Sequence, residues 1–209
     1  MKKNTWAWIV IAVFLTIFGA LTIAEADDAS ILRRFGQVMR EQTKRSDDTR
    51  VIATYHDIEF TERDVNLRLE GNQLIGGESA KITTQKDAIE QLALGQMLLE
   101  EAERLGQTAK QEEIKHYLET SKNVWKSDEE VQQNLDDYCA GAGITIEDYW
   151  AEIENNAPVM LTKWKLSNYV METYLAEHPD ADQTMQNEYW ETYKAQLLEQ
   201  HRGEIIYQQ

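Results

Sequence analysis

The chain has one cysteine, Cys139, and two prolines among its 209 residues. A single cysteine forms no intramolecular disulfide and no cysteine-based zinc site. Two prolines and ten glycines are sparse punctuation for an all-β fold, which needs a turn every few residues. Positive charge is also short: 21 Lys and Arg face 37 Asp and Glu, a net charge of −16. Such a surface repels phosphate, which excludes nucleic acid as a partner, and it gains nothing from anionic lipid. No Gly-x-Ser-x-Gly, phosphate loop or dinucleotide fingerprint occurs, so no catalytic residue and no cofactor is expected. What is present is a mostly helical, acidic body, 42% hydrophobic.

The N-terminus departs from that acidity. After Met1-Lys2-Lys3, the run from Trp6 to Ala24 carries no charge over 19 residues. As a helix it is about 28 Å long, near the thickness of a hydrocarbon core. The two lysines favour a cytoplasmic N-terminus, with residues 27–209 sent across. Two fates stay open: a retained single-pass anchor, or a signal peptide (Ala24-Glu25-Ala26 fits the small-x-small pattern) cleaved after Ala26. The length of the apolar run favours the anchor. The chain thus divides into an anchor or signal (1–26), a polar linker or stalk helix (27–50) and a domain (51–209). In the stalk, Ile31, Leu32, Phe35, Val38 and Met39 recur at helical spacing.

Val51 to Phe60 is β-branched and aromatic, which predicts a strand at 51–55 and a hairpin partner at 58–60. The next strand-like run is Glu204 to Tyr207, at the other end of the domain. A lone strand leaves its backbone groups unpaired, so the strand at about 204–207 is expected to pair with the one at about 51–55.

Between them the chain reads as helices. Thr61-x-x-Asp64, Thr84-x-x-Asp87, Thr108-x-x-Gln111, Ser127-x-x-Glu130 and Thr145-x-x-Asp148 each place a hydroxyl three residues before an acid or amide. That spacing forms a reciprocal helix cap. Gly106 and the run Ala140-Gly141-Ala142-Gly143 supply helix stops. Residues 71–82, with three glycines, read as a loop. Pro158 is expected to kink or restart the helix over 147–175, with Asn155 or Asn156 as a local cap. A last helix spans roughly 182–202.

VIATYHDIEFTERDV, AIEQLALGQMLLEEAERLG and TAKQEEI, in that order, resemble the N-terminal chaperone domain of the SurA and PrsA foldases. ITIEDYWAEIENNAPVMLTKWKLSNYVMETY is similar to the long last helix of that domain. YWETYKAQLLEQHRGEIIY is similar to its C-terminal helix and returning strand. The resemblance covers about residues 50–209 and implies a mostly α fold with a small β pairing, and a role in binding unfolded or exported polypeptides. In that family a parvulin-type prolyl isomerase domain separates the last two helices. Here only Ala176 to Asp182 connects them, too short for a domain with its own core. The isomerase activity is therefore not expected.

Glu113-x-x-His116 has the spacing of half a di-iron carboxylate site, which leaves a helical metalloenzyme as an alternative. No second such motif occurs, so a solvated helix face is the simpler reading and no metal is expected. Cys139 reads as a buried inert thiol or, in an exported protein, as an intermolecular disulfide. Six Trp and nine Tyr are the informative excess. They fill the core between helices, or some of them line a groove for apolar segments of clients. The candidate client-binding residues are Trp125, Tyr149, Trp150, Met160, Trp164, Tyr169 and Met171. An envelope scaffold docking one folded partner is the other reading of such a groove.

Overall fold

A computed structural model describes residues 29–44, 50–76 and 81–208. The expected anchor or signal segment, 1–26, lies outside the described residues. Among the described residues, no helix is long and apolar enough to cross a membrane.

The elements follow in chain order as α1 (Ala29–Lys44), β1 (Val51–Tyr55), β2 (Ile58–Thr61), α2 (Glu62–Gly76), α3 (Gln85–Arg104) and α4 (Gln111–Ser127). Then come α5 (Glu129–Ala142), α6 (Ile146–Glu177), α7 (Gln183–His201), a 3-10 turn (Arg202–Glu204) and β3 (Ile205–Tyr207). The protein is mostly helical, with one antiparallel sheet of order β2-β1-β3.

The expected end-to-end pairing is present. Ala53 faces Tyr207, Thr54 faces Ile206 and Tyr55 faces Ile205. The Gln208 amide donates to the Ile52 carbonyl at 2.8 Å, extending the pairing by one residue. Alternation along β1 turns Ala53 and Tyr55 inward, and both are fully buried. The hairpin turn places His56 in the left-handed region, at φ 52°.

Three of the five expected caps form as read. Thr61, Thr84 and Thr145 each accept from the amide three residues on, and Asp64, Asp87 and Asp148 return a carboxylate to the cap backbone. The other two are corrected by one or two residues. α4 opens at Lys110, whose amide donates to Glu113 at 2.6 Å, and Thr108 lies outside it. Ser127 closes α4, and Asp128 caps α5 by accepting from the amides of Glu130 and Val131. A carboxylate accepts two amides at once and complements the helix dipole, so it outcompetes the hydroxyl beside it. Gly106 and Gly143, both at φ 69°, end α3 and α5 as left-handed stops.

Two further expectations change. Residues 71–76 of the segment read as a loop at 71–82 are helical, because α2 continues to Gly76. α6 runs unbroken through Pro158, and neither Asn155 nor Asn156 restarts it. The lost proline N–H is tolerated because the helix is held on both sides of it by packing. Its first half, with Tyr149, Trp150, Ile153, Ala157, Met160 and Leu161, lies in a core shared with α1, α4 and α5. Its second half, with Leu166 and Val170, lies in a second core with the sheet, α2, α3 and α7. α6 is thus the beam that joins the two cores.

Within the segment read as a polar linker or stalk helix, residues 29–44 form the helix α1. Phe35 of α1 is buried in the first core, and Leu32 and Met39 pack against it. Gly36 and Gly141 form the crossing of α1 with α5, where a Cβ on either would collide with the backbone of the other helix. Arg33 adds a 2.7 Å ion pair to Asp137.

Candidate functional site

The seven candidate residues are placed by two helices, α4 and α6, and the structure brings only four of them together. Trp125, Tyr149 and Trp150 form one aromatic cluster, with Trp125 and Tyr149 meeting Trp150 edge-on at centroid distances of 5.8 and 5.1 Å. Met160 belongs to the same core, where the Tyr117 hydroxyl approaches its sulfur at 4.0 Å. Tyr149, Trp150 and Met160 retain 1%, 7% and 8% of their exposure. These three are therefore core residues and not groove lining, and Trp125 is packed half-buried against them. Aromatic burial of this kind carries the stability of a helical body of this size. Burial also pushes the Tyr149 hydroxyl well above its ordinary pKa, as it does for Tyr138 beside it.

Trp164 differs, at 58% exposed. It follows Met160 by four residues and Leu161 by three, so it continues their stripe one turn further along α6. The stripe is covered as far as Met160 and emerges at Trp164. Met171 and Leu175 follow at helical spacing, both half-buried, and Met171 packs on the second core. Tyr169, 40% exposed, lies five residues from Trp164 and so points to another side of the helix. The surface offered on α6 is therefore Trp164 leading to Met171, with Tyr169 apart from it.

The flank of this surface is fixed by charge. Lys165 donates to both oxygens of Glu113 at 2.9 and 2.8 Å and to the Thr108 carbonyl at 3.1 Å. Lys165, with the Lys110 amide, holds the Glu113 carboxyl below its ordinary pKa. Glu113 is thus committed to an ion pair, and among the described residues no group of three His, Cys, Asp or Glu is placed to hold a metal. Cys139 is a free, buried thiol, raised to about 11 chiefly by burial, which leaves it unreactive where it sits.

Some features were not anticipated from the sequence. Val159, Met185, Ile206 and Tyr207 are exposed apolar residues, and Ile206 belongs to β3, an edge strand. Tyr174 and Tyr189 stack at 4.1 Å across the α6–α7 hairpin, and Tyr193 donates from its hydroxyl to Glu101 at 2.8 Å. The i, i+4 repeat of Tyr189 and Tyr193 signals this packing but not which side of α7 takes it.

No family model matches this chain, and no similar curated protein or solved structure was found.

Proposed function

We propose that this protein is an exported, membrane-anchored, chaperone-like module that holds unfolded or exported polypeptides by transient apolar contact. The observation that carries the reading is Trp164, a large aromatic left 58% exposed where a buried helix stripe emerges. An exposed indole costs hydrophobic free energy unless a partner covers it, and a flexible Met171 beside it suits varied segments. The acidic surface keeps such a face soluble and favours basic clients. The resemblance of element order to the SurA and PrsA chaperone domain supports the same reading. The basic start and uncharged run over Trp6–Ala24 support placing residues 27–209 outside the cytoplasm. No covalent chemistry is included, because α6 passes to α7 through His178–Asp182 with no inserted domain.

An NMR titration of the full chain with an unfolded exported polypeptide tests this. Shifts gathered on the Trp164 side of α6 support it, and no change at high micromolar client contradicts it. A single tight folded partner, with no affinity for unfolded chains, would instead favour an envelope scaffold.

A further inference from the structure

Among the described residues, α1 is the one helix with an excess of positive charge. It carries Arg33, Arg34, Arg40 and Lys44 against Glu41 alone, in a chain of net charge −16. Phe35 and Gly36 are buried, and Arg33, Arg34, Gln37 and Arg40 are exposed. Arg33 is tied to Asp137, but Arg34 and Arg40 have no ion-pair partner among the described residues. Asp27, Asp28, Asp47 and Asp48 flank α1 in the sequence and weaken its field. Even so, residues 27–50 hold six basic and five acidic side chains.

The docking of α1 decides how it can meet a membrane. Its apolar side, with Leu32, Phe35 and Met39, is covered by the first core, and Gly36 and Gly141 hold it against α5. A helix covered in this way cannot sink into the acyl region as a free amphipathic helix does, so contact with a bilayer is left to its charges. The chain also sets the distance. The uncharged run ends at Ala24 and α1 begins at Ala29, a span of at most about 18 Å when extended. With residues 6–24 across the bilayer, α1 is the first element of the domain to meet the headgroups. Charges beyond about 8 Å are screened at physiological salt, so the side nearest the lipid outweighs the net charge of the chain.

We propose that the exposed basic side of α1 rests on the phosphates of anionic lipid headgroups and so orients the first core on the bilayer. This rests on the membrane-anchored part of the proposed function and is independent of client binding.

The full chain, labelled with a fluorophore through Gln37→Cys, tests the contact in vesicles that carry a headgroup quencher; Cys139 is buried and does not compete for the label. Quenching is expected to rise when phosphatidylglycerol is added to phosphatidylcholine, and to fall back at high salt. Arg34→Gln with Arg40→Gln is expected to remove that increment, and Arg34→Gln alone part of it. Glu41→Gln is expected to enlarge it. Equal quenching in both lipids, or an increment indifferent to salt and to the arginines, would overturn the proposal. Flotation of the same chain separates the two readings. Failure to float with pure phosphatidylcholine contradicts the anchor alone. The α1 contact then still shows as flotation with phosphatidylglycerol, weakened about fivefold for each arginine removed. No flotation with either vesicle overturns both.

Discussion

His56 and Glu204, 148 residues apart in sequence, are joined by a 2.7 Å hydrogen bond between the imidazole Nε2 and a carboxylate oxygen. The other ring nitrogen meets Glu100 of α3 at 3.0 Å, and His201 meets the second oxygen of Glu204 at 2.9 Å. Tyr55, next to His56, donates to Glu100 at 2.9 Å. This side-chain clamp holds together the hairpin turn, α3 and the turn before β3, beside the backbone pairing of β1 with β3.

The clamp makes β3 pH-sensitive. A neutral imidazole has one N–H, and only the cation donates to both carboxylates. Glu204 and then Glu100 accordingly raise the His56 pKa above its ordinary 6.5. Its contribution is full below 6.5 and is lost as pH rises through the raised folded value. Glu204, held below its ordinary 4.5 by His201 and His56, contributes above 4.5 and is lost as pH falls through its lowered value. The pairing is therefore firmest between those ordinary values. Amide exchange at Gln208 is expected to lose protection, beyond the intrinsic rate change, as pH rises past 6.5. In His56→Gln that dependence should flatten; an unchanged profile would remove His56 from the account.

The crossing of α1 with α5 predicts an inverted glycine effect. Gly→Ala inside an exposed helix gains about 1 kcal/mol of propensity. At Gly141 the added methyl meets the Arg33 carbonyl oxygen, a backbone atom that cannot swing away. Gly141→Ala is expected to destabilise by about 1–3 kcal/mol in urea unfolding. A neutral or stabilising result would mean that α1 is not docked there.

Cap substitutions separate the observed helix starts from the expected ones. Thr84→Ala, Asp128→Ala and Thr145→Ala should each cost about 1 kcal/mol. Thr108→Ala and Ser127→Ala should stay within about 0.5 kcal/mol, because neither hydroxyl caps a helix. The opposite order in denaturant melts would restore the sequence reading of those two starts.

The two tryptophans of α6 should behave in opposite ways. Trp150→Ala opens the first core beside Trp125 and Tyr149 and should cost about 3–5 kcal/mol. Trp164→Ala should change stability by about 0.5 kcal/mol or less. Equal losses in thermal unfolding would show that Trp164 is packed as tightly as Trp150.

Much of this fold was readable because its signals are local. Thr-x-x-Asp marks a helix start within four residues, and two solitary strands leave each other as the nearest partner. The caps expected at Thr108 and Ser127 but found at Lys110 and Asp128 show the limit of that signal, since the choice among adjacent polar residues is made where the chain leaves the previous turn. The docking of α1 was hidden because Gly36 and Gly141 meet only after five elements intervene. The aromatic site was hidden for a different reason. Trp150 and Trp164 fall on nearly the same side of α6, so helical period cannot tell which is covered. That is decided by where the first core ends, and Tyr149, Trp150 and Met160 accordingly went to the core.

The central claim is that the Trp164 side of α6 takes up unfolded chains, and the affinity of Trp164→Ala for an unfolded exported polypeptide tests it most directly. Measured by fluorescence anisotropy on the full chain, binding should weaken by about tenfold, a loss of about 1.4 kcal/mol, while the melting transition is unchanged. Wild-type affinity in that variant, or no binding by the unmodified protein at high micromolar client, would contradict the claim.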